Sequence, residues 1–198
     1  FKLVIEYDGT LFHGWQHQQD GTSVQEAVER AITAFSGEER RIVAAGRTDT
    51  GVHATHQVVH VDLERDWPLR TIADAMNAHL KGGGVAVLDA RRVAETFDAR
   101  ISAVKRHYLY RIVNRRAYAV LDAKRVWQVK WPIDPARMQA GADRLIGKHD
   151  FTTFRASECQ AKSPLRTLER LDVETKDNEI RIHASARSFL HSQVRSMV

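Results

Sequence analysis

The stretch Ala45-Gly46-Arg47-Thr48-Asp49-Thr50-Gly51-Val52-His53-Ala54 holds the sharpest local pattern in the chain. It leaves a short apolar run, residues 42–45, that reads as a buried strand. Glycines at 46 and 51 then bracket a polar loop. In an extended segment the side chains of Arg47 and Asp49 fall on one side. A guanidinium beside a carboxylate favours its charged form. A charged, oriented carboxylate can act as a nucleophile or a general base. The same residues also suit a plain turn, with Asp49 capping the backbone and Arg47 paired to it. The loop by itself leaves both readings open.

Working outward, the flanking segments predict an α+β chain. Residues 2–7 read as a strand stopped by Asp8-Gly9. A loop rich in polar and aromatic side chains follows, from Phe12 through Trp15 to Gln19. Ser23 and Glu26 form an S-x-x-E capping box. Val24, Ala27, Val28, Ala31, Ile32 and Phe35 recur at helical spacing, and Gly37 ends that helix. Residues 58–63 alternate as a strand, Pro68 opens a helix to about Leu80, and residues 85–93 read as a further strand. Past Arg100, residues 107–113 alternate, and residues 127–131 form a candidate strand. Asp134-Pro135 opens a helix predicted to reach Ile146 and to end at Gly147. Residues 168–175 and 180–186 predict a hairpin with a four-residue connection around Asp177-Asn178. A last helix is predicted from about Phe189. The expected organisation is two α+β domains, 1–99 and 100–198. The first residue is Phe1 rather than Met, and the chain closes on Ser-Met-Val within that last helix. Further residues are therefore expected at both ends, more of them at the C-terminus.

Composition narrows the function classes. Of 198 residues, 43% are apolar and 28% charged, a globular rather than a disordered balance. Lys and Arg total 30 against 25 Asp and Glu, a formal charge of +5. The excess is concentrated between residues 100 and 125. There Arg100, Lys105, Arg106, Arg111, Arg115, Arg116, Lys124 and Arg125 face the single acid Asp122. His107, Tyr108, Tyr110 and Tyr118 are interleaved. Cations for phosphates and flat rings for bases suit a nucleic-acid surface. A solvated basic face over packed tyrosines is the competing reading. Cys159 is the only cysteine, so no disulfide framework can form within the chain, and a reducing cytoplasm is expected. No apolar run approaches the roughly 20 residues that span a bilayer. No signal peptide is visible.

The loop and its neighbours together resemble one family. Residues 45–54 resemble the catalytic motif of the tRNA pseudouridine synthase A family. Glu6-Tyr7-Asp8-Gly9-Thr10 with Phe12-His13-Gly14-Trp15-Gln16 is similar to its N-terminal signature. Ser23-Val24-Gln25-Glu26 resembles the start of its first helix, and Gln57-Val58-Val59-His60 the segment after the catalytic loop. Phe97-Asp98-Ala99-Arg100 and Lys105-Arg106-His107-Tyr108-Leu109-Tyr110-Arg111 resemble the next block. His149-Asp150-Phe151-Thr152-Thr153-Phe154-Arg155-Ala156 and Ser188-Phe189-Leu190-His191-Ser192-Gln193-Val194-Arg195 resemble the last two. The blocks follow family order over nearly the whole chain. One departure is Ser196, where the family often carries Asn after the arginine.

The resemblance implies the pseudouridine synthase fold: two α/β halves with mixed, mainly antiparallel sheets around a central cleft. It implies isomerisation of uridine to pseudouridine in the anticodon stem-loop of tRNA, at positions 38, 39 and 40. No redox change occurs and no cofactor is implied. Asp49 is implied as the nucleophile, attacking either the uracil ring or ribose C1′. Arg47 is implied to hold the carboxylate and contact a phosphate. Tyr108 is implied to stack on the flipped base, and Arg195 to pair with Asp49. Arg106, Arg111, His53 and Arg155 are expected to contact tRNA, and a homodimer is expected, with tRNA touching both subunits.

Other constellations are weaker. His53, His56 and His60 are spaced like metal ligands but do not share one strand face, so no metal is expected. Cys159 lacks an obvious activating cation in sequence. Phe12 and Trp15 suit either an RNA groove or a hydrophobic cluster pinning their loop. No P-loop and no Gly-x-Gly-x-x-Gly is present. Two other function classes remain: a non-catalytic RNA-binding protein, and a carboxylate-dependent hydrolase, which would need a metal and a second clustered carboxylate.

Overall fold

A computed structural model describes residues 1–18 and 21–198; Gln19 of the polar-aromatic loop lies outside the described residues. The chain divides into two compact units, Phe1–Ala103 and Val104–Val198.

In the first unit, β1 (Lys2–Tyr7) is a central strand because alternate residues Leu3, Ile5 and Tyr7 are all buried. It pairs antiparallel with β3 (Ala54–His60) on one side and β4 (Val85–Arg91) on the other. The short β2 (Val43–Ala44) adds to β3, giving the order β2-β3-β1-β4. Two helices, α1 (Val24–Ser36) and α2 (Leu69–Leu80), join this sheet in one core. Val28, Ala31 and Ile32 of α1 and Ile72 and Met76 of α2 are buried there with Leu3 and Ile5. The start and stop of α1 are set by its caps. Ser23 Oγ accepts the Glu26 N–H at 3.1 Å, and Gly37 takes a left-handed φ of 76°.

Two expectations here shift. The segment before the loop is an edge strand of two residues, and Val43 is exposed. Strand β3 begins at Ala54, earlier than the apolar alternation suggested, because its first residues pair through the backbone while His56 faces solvent.

The second unit is a five-stranded sheet in the order β6-β5-β9-β8-β7. Strand β5 (Arg106–Asn114) pairs parallel with β6 (Trp127–Val129) and antiparallel with β9 (Glu179–Ala186). Next to β9 lie β8 (Leu165–Lys176) and then β7 (Gly147–Asp150), both antiparallel. Ile180, Ile182, Ala184 and Ala186 of β9 bury one face against Phe151, Leu168 and Leu171. Helix α3 (Pro135–Asp143) is opened by Asp134, whose Oδ1 accepts from the N–H of Ala136 and of Arg137. The chain closes on the short α4 (Gln193–Met197). No helix among the described residues is long and apolar enough to cross a membrane.

Three boundaries differ from expectation. The β8–β9 connection is two residues, not four, because Lys176 and Glu179 still pair. Asp177 makes this possible by adopting φ 54°, a region that Asp tolerates better than most side chains. The exposed charged ends of both strands carry no apolar alternation, so sequence alone cut them short. Helix α3 stops at Asp143: the Arg144 and Leu145 N–H groups bond three residues back, tightening the last turn, and Gly147 starts β7 instead. Helix α4 begins at Gln193 rather than near Phe189, after Ser192 at φ 57°.

On the other face of the second sheet, Arg111 spans two carboxylates. Its Nε lies 2.7 Å and its Nη2 3.0 Å from the Glu179 oxygens, and its Nη1 3.2 Å from Asp122. The Arg111 hydrogen bonds, with help from Arg181, push the Glu179 carboxyl down to about 2 from its ordinary 4.5. A lowered carboxyl stabilises the fold fully above about pH 4.5 and loses that contribution as pH falls toward 2.

Both the helix cap and the ion pair can be tested by stability. Ser23→Ala removes a buried cap and costs about 1 kcal/mol, read as a lower urea midpoint with unchanged m. Glu179→Gln costs about 1.5 kcal/mol at neutral pH, the low end for a bond to a charged group on a part-solvated face. That variant also shows a shallower loss of stability than the parent between pH 4.5 and about 2 in acid-titrated urea melts.

Candidate active site

The loop after β2 is fixed from the backbone outward. The Val52 N–H donates to the Asp49 carbonyl at 3.1 Å, closing a four-residue turn. Gly51 takes φ 77° at the third position, as a type II turn requires. At the loop entrance, Gln57 of β3, itself buried, donates from Nε2 to the Gly46 carbonyl at 2.6 Å.

The N-terminal segment then grips the loop from behind. The Tyr7 hydroxyl lies 2.7 Å from Thr48 Oγ1, and the Trp15 N–H donates to the Thr48 carbonyl at 3.0 Å. A Cβ on Gly14 would come within 3.1 Å of that carbonyl and 3.3 Å of Thr50 N. A Cβ on Gly9 would overlap the Val52 carbonyl, so glycine is what allows the two chain segments to touch. His53 Nδ1 lies 3.2 Å from the Gly9 N–H and 3.2 Å from Asp8 Oδ1. Phe12 and Trp15 are buried in the first core, with the Trp15 ring 5.9 Å from that of Tyr7. They pin the loop that carries Gly14.

Asp49 is half-buried and Arg47 exposed on this loop. Thr48 contacts and backbone hydrogen bonds hold the loop that carries both residues. His53 faces Asp8 and Gly9 of its own unit. Of the other spaced histidines, His60 accepts the Ala99 N–H at 3.0 Å.

The remaining expected residues belong to the second unit. Tyr108 on β5 is half-buried, and its ring meets Phe189 edge-to-face at 5.1 Å. Helix α4, which carries exposed Arg195, packs on β5 and on the 3₁₀ turn Thr152–Phe154. Its entry is set by Gln193, fully buried, whose Oε1 accepts the Leu190 N–H at 2.8 Å. The Ala156 N–H donates to the His191 carbonyl at 3.0 Å, tying the segment with half-buried Arg155 to the one with Arg195. Arg106 donates to the Arg187 carbonyl. Arg111 is committed to Glu179 and Asp122, so it adds less positive field than its place in the basic run suggests.

Sequence reasoning missed the holding residues: Tyr7, Gly9 and Gly14 behind the loop, Gln57 at its entrance, and Gln193 at the start of α4. The two glycines within a polar-aromatic segment were the available signal, because close backbone approach is a reason for glycine in such a place. Gln57 had none, since a polar residue within a strand gives no hint of its partner.

A family profile described as tRNA pseudouridine synthase matches residues 3–100 and 142–198. The tRNA pseudouridine synthase A of Mesorhizobium japonicum is 59% identical over 200 residues, covering 100% of this chain and 81% of that protein. That of Methylobacterium nodulans is 58% identical over 198 residues, covering 100% and 78%. That of Bartonella henselae is 54% identical over 198 residues, covering 99% and 80%. With the profile reaching the Asp49 loop in one unit and the Arg195 helix in the other, the chain belongs to the tRNA pseudouridine synthase family, whose enzymes are isomerases.

Proposed function

We propose that the protein isomerises uridine to pseudouridine at positions 38, 39 and 40 in the anticodon stem-loop of tRNA, with Asp49 as nucleophile. The observation that carries this reading is the half-buried carboxylate on a loop held at Gly46, Thr48 and Val52, in a chain whose relatives are named for this chemistry.

The reaction breaks the N1–C1′ bond and forms a C5–C1′ bond. C5 gives up its proton, N1 takes one, and the carboxylate that adds is released, so the product is an isomer. Attack of Asp49 on ribose C1′ or on the uracil ring satisfies the same balance. A rigid carboxylate suits either, because a misplaced nucleophile loses the advantage of proximity. The target leaves its stack to reach Asp49, at a cost of a few kcal/mol that phosphate contacts offset.

Arg47, exposed beside Asp49, contacts a phosphate of the flipped nucleotide. Tyr108 stacks on the uracil and serves in the proton transfer, and Phe189 against its ring limits its rotation. Arg195 pairs with Asp49. Arg106 and Arg155 contact the tRNA backbone. His53 and Arg111 contribute there from positions already braced by protein partners. The enzyme acts as a cytoplasmic homodimer, with tRNA touching both subunits.

The test is tritium release from tRNA labelled at uridine C5, because that hydrogen is lost when C5 bonds to ribose. The parent protein releases tritium, and Asp49→Asn lowers the rate by roughly 10³-fold or more. Release that survives in Asp49→Asn overturns the nucleophile. tRNA binding by the parent without any release overturns the isomerase and leaves an RNA-binding protein.

A further inference from the structure

We propose that Tyr7 and Thr48 form a latch that positions Asp49, making Tyr7 a positioning residue for the reaction although its side chain is buried under the loop. The proposal rests on the reading of Asp49 as the reacting group.

The geometry is specific. Thr48 lies between Arg47 and Asp49, and its hydroxyl is 2.7 Å from the Tyr7 hydroxyl. Tyr7 is only 4% exposed, on the central strand of the first sheet. Its backbone is paired on both sides, to Ala54 of β3 and Val85 of β4. Its ring lies against that of Trp15, whose own N–H holds the Thr48 carbonyl at 3.0 Å. The Thr48 side chain is thus tied to the doubly paired strand β1 through Tyr7, and its carbonyl to the buried Trp15 beside that ring. Asp49 follows Thr48 directly and opens the turn closed by the Val52 N–H, so anchoring Thr48 fixes the backbone from which the Asp49 side chain leaves. The buried Tyr7 hydroxyl also resists loosening, because separating it from Thr48 exposes a polar group to a poorly hydrated site.

This role differs from simple core packing. Tyr7→Phe keeps the ring, the Trp15 contact and the strand pairing, and removes only the hydroxyl. Position matters steeply in such sites, where a displacement of about 1 Å can cost about 10²-fold.

The experiment compares Tyr7→Phe, Thr48→Val, Thr48→Ser and the double variant Tyr7→Phe/Thr48→Val with the parent protein. Tritium release gives kcat and KM on labelled tRNA. Amide hydrogen exchange at Trp15 and Val52, whose N–H groups close on Thr48 and Asp49, reads the latch without substrate. Tyr7→Phe lowers kcat by roughly 10- to 100-fold with KM within about 2-fold, and both amides exchange faster. Thr48→Val does the same, Thr48→Ser restores most of kcat, and the double variant is no worse than either single one. Parent-like kcat in Tyr7→Phe, losses confined to KM, or losses that add in the double variant overturn the latch. If Tyr7→Phe does not fold, the Thr48→Val and Thr48→Ser pair decides by the same measures. If the parent releases no tritium, the function reading has failed, and unchanged exchange at both amides separately overturns the latch.

Discussion

The contact on which the first unit's site depends is the backbone-to-backbone approach of residues 9–15 to residues 48–52. Loops ordinarily run over the surface and keep some freedom. Here the loop is seated on a second segment through Gly9 and Gly14, whose missing side chains let carbonyls come close. Once seated, each end has a side-chain clasp: Gln57 on the Gly46 carbonyl, and His53 toward Gly9 and Asp8. Rigidity in such a loop comes from many modest, part-buried hydrogen bonds. Each contributes only about 1 kcal/mol net, but each is costly to leave unmade. The Asp49 backbone is placed by that network.

The same logic accounts for what the sequence disclosed. Elements with strong local signals were legible: the Ser23 cap and the Gly37 stop of α1 match residue for residue. So were the alternating strand β1 and the opening of α3 at Asp134. Elements defined by pairing were not. β2 spans two residues and exists because β3 lies beside it, and β8 and β9 run past their apolar cores into charged ends that still pair. Helix α4 begins late because Gln193 turns inward to satisfy the Leu190 backbone, a tertiary demand invisible to periodicity.

Charge shows the same divide between sequence and structure. The run from residue 100 to 125 is strongly basic on paper, yet its members differ in standing. Arg111 faces Glu179 and Asp122, and Lys105 is paired with Glu169, in both cases with carboxylates. Arg115 turns to the carbonyls of Ala117 and Tyr118. A cation already neutralised within the fold contributes little to the field that attracts a polyanion, while it holds the sheet face in shape. Counting residues therefore overstates the RNA-facing charge, because the acids that pair with the run lie partly outside it, at positions 169 and 179.

Tyr108 and Tyr7 show how two tyrosines of one chain come to opposite uses. Tyr7 is paired on both sides, to β3 and β4, and Tyr108 pairs with Ala184 of β9. Tyr7 is buried beneath a loop, where its hydroxyl must find a partner and finds Thr48. Tyr108 is half-buried, and its ring is braced edge-to-face by Phe189. In the proposed reaction a flipped uracil would use such a flat surface, because stacking offsets part of the cost of leaving the helix. Under the proposed function the two tyrosines divide recognition from alignment, and their difference in burial, 4% exposure for Tyr7 against a half-buried Tyr108, matches that division.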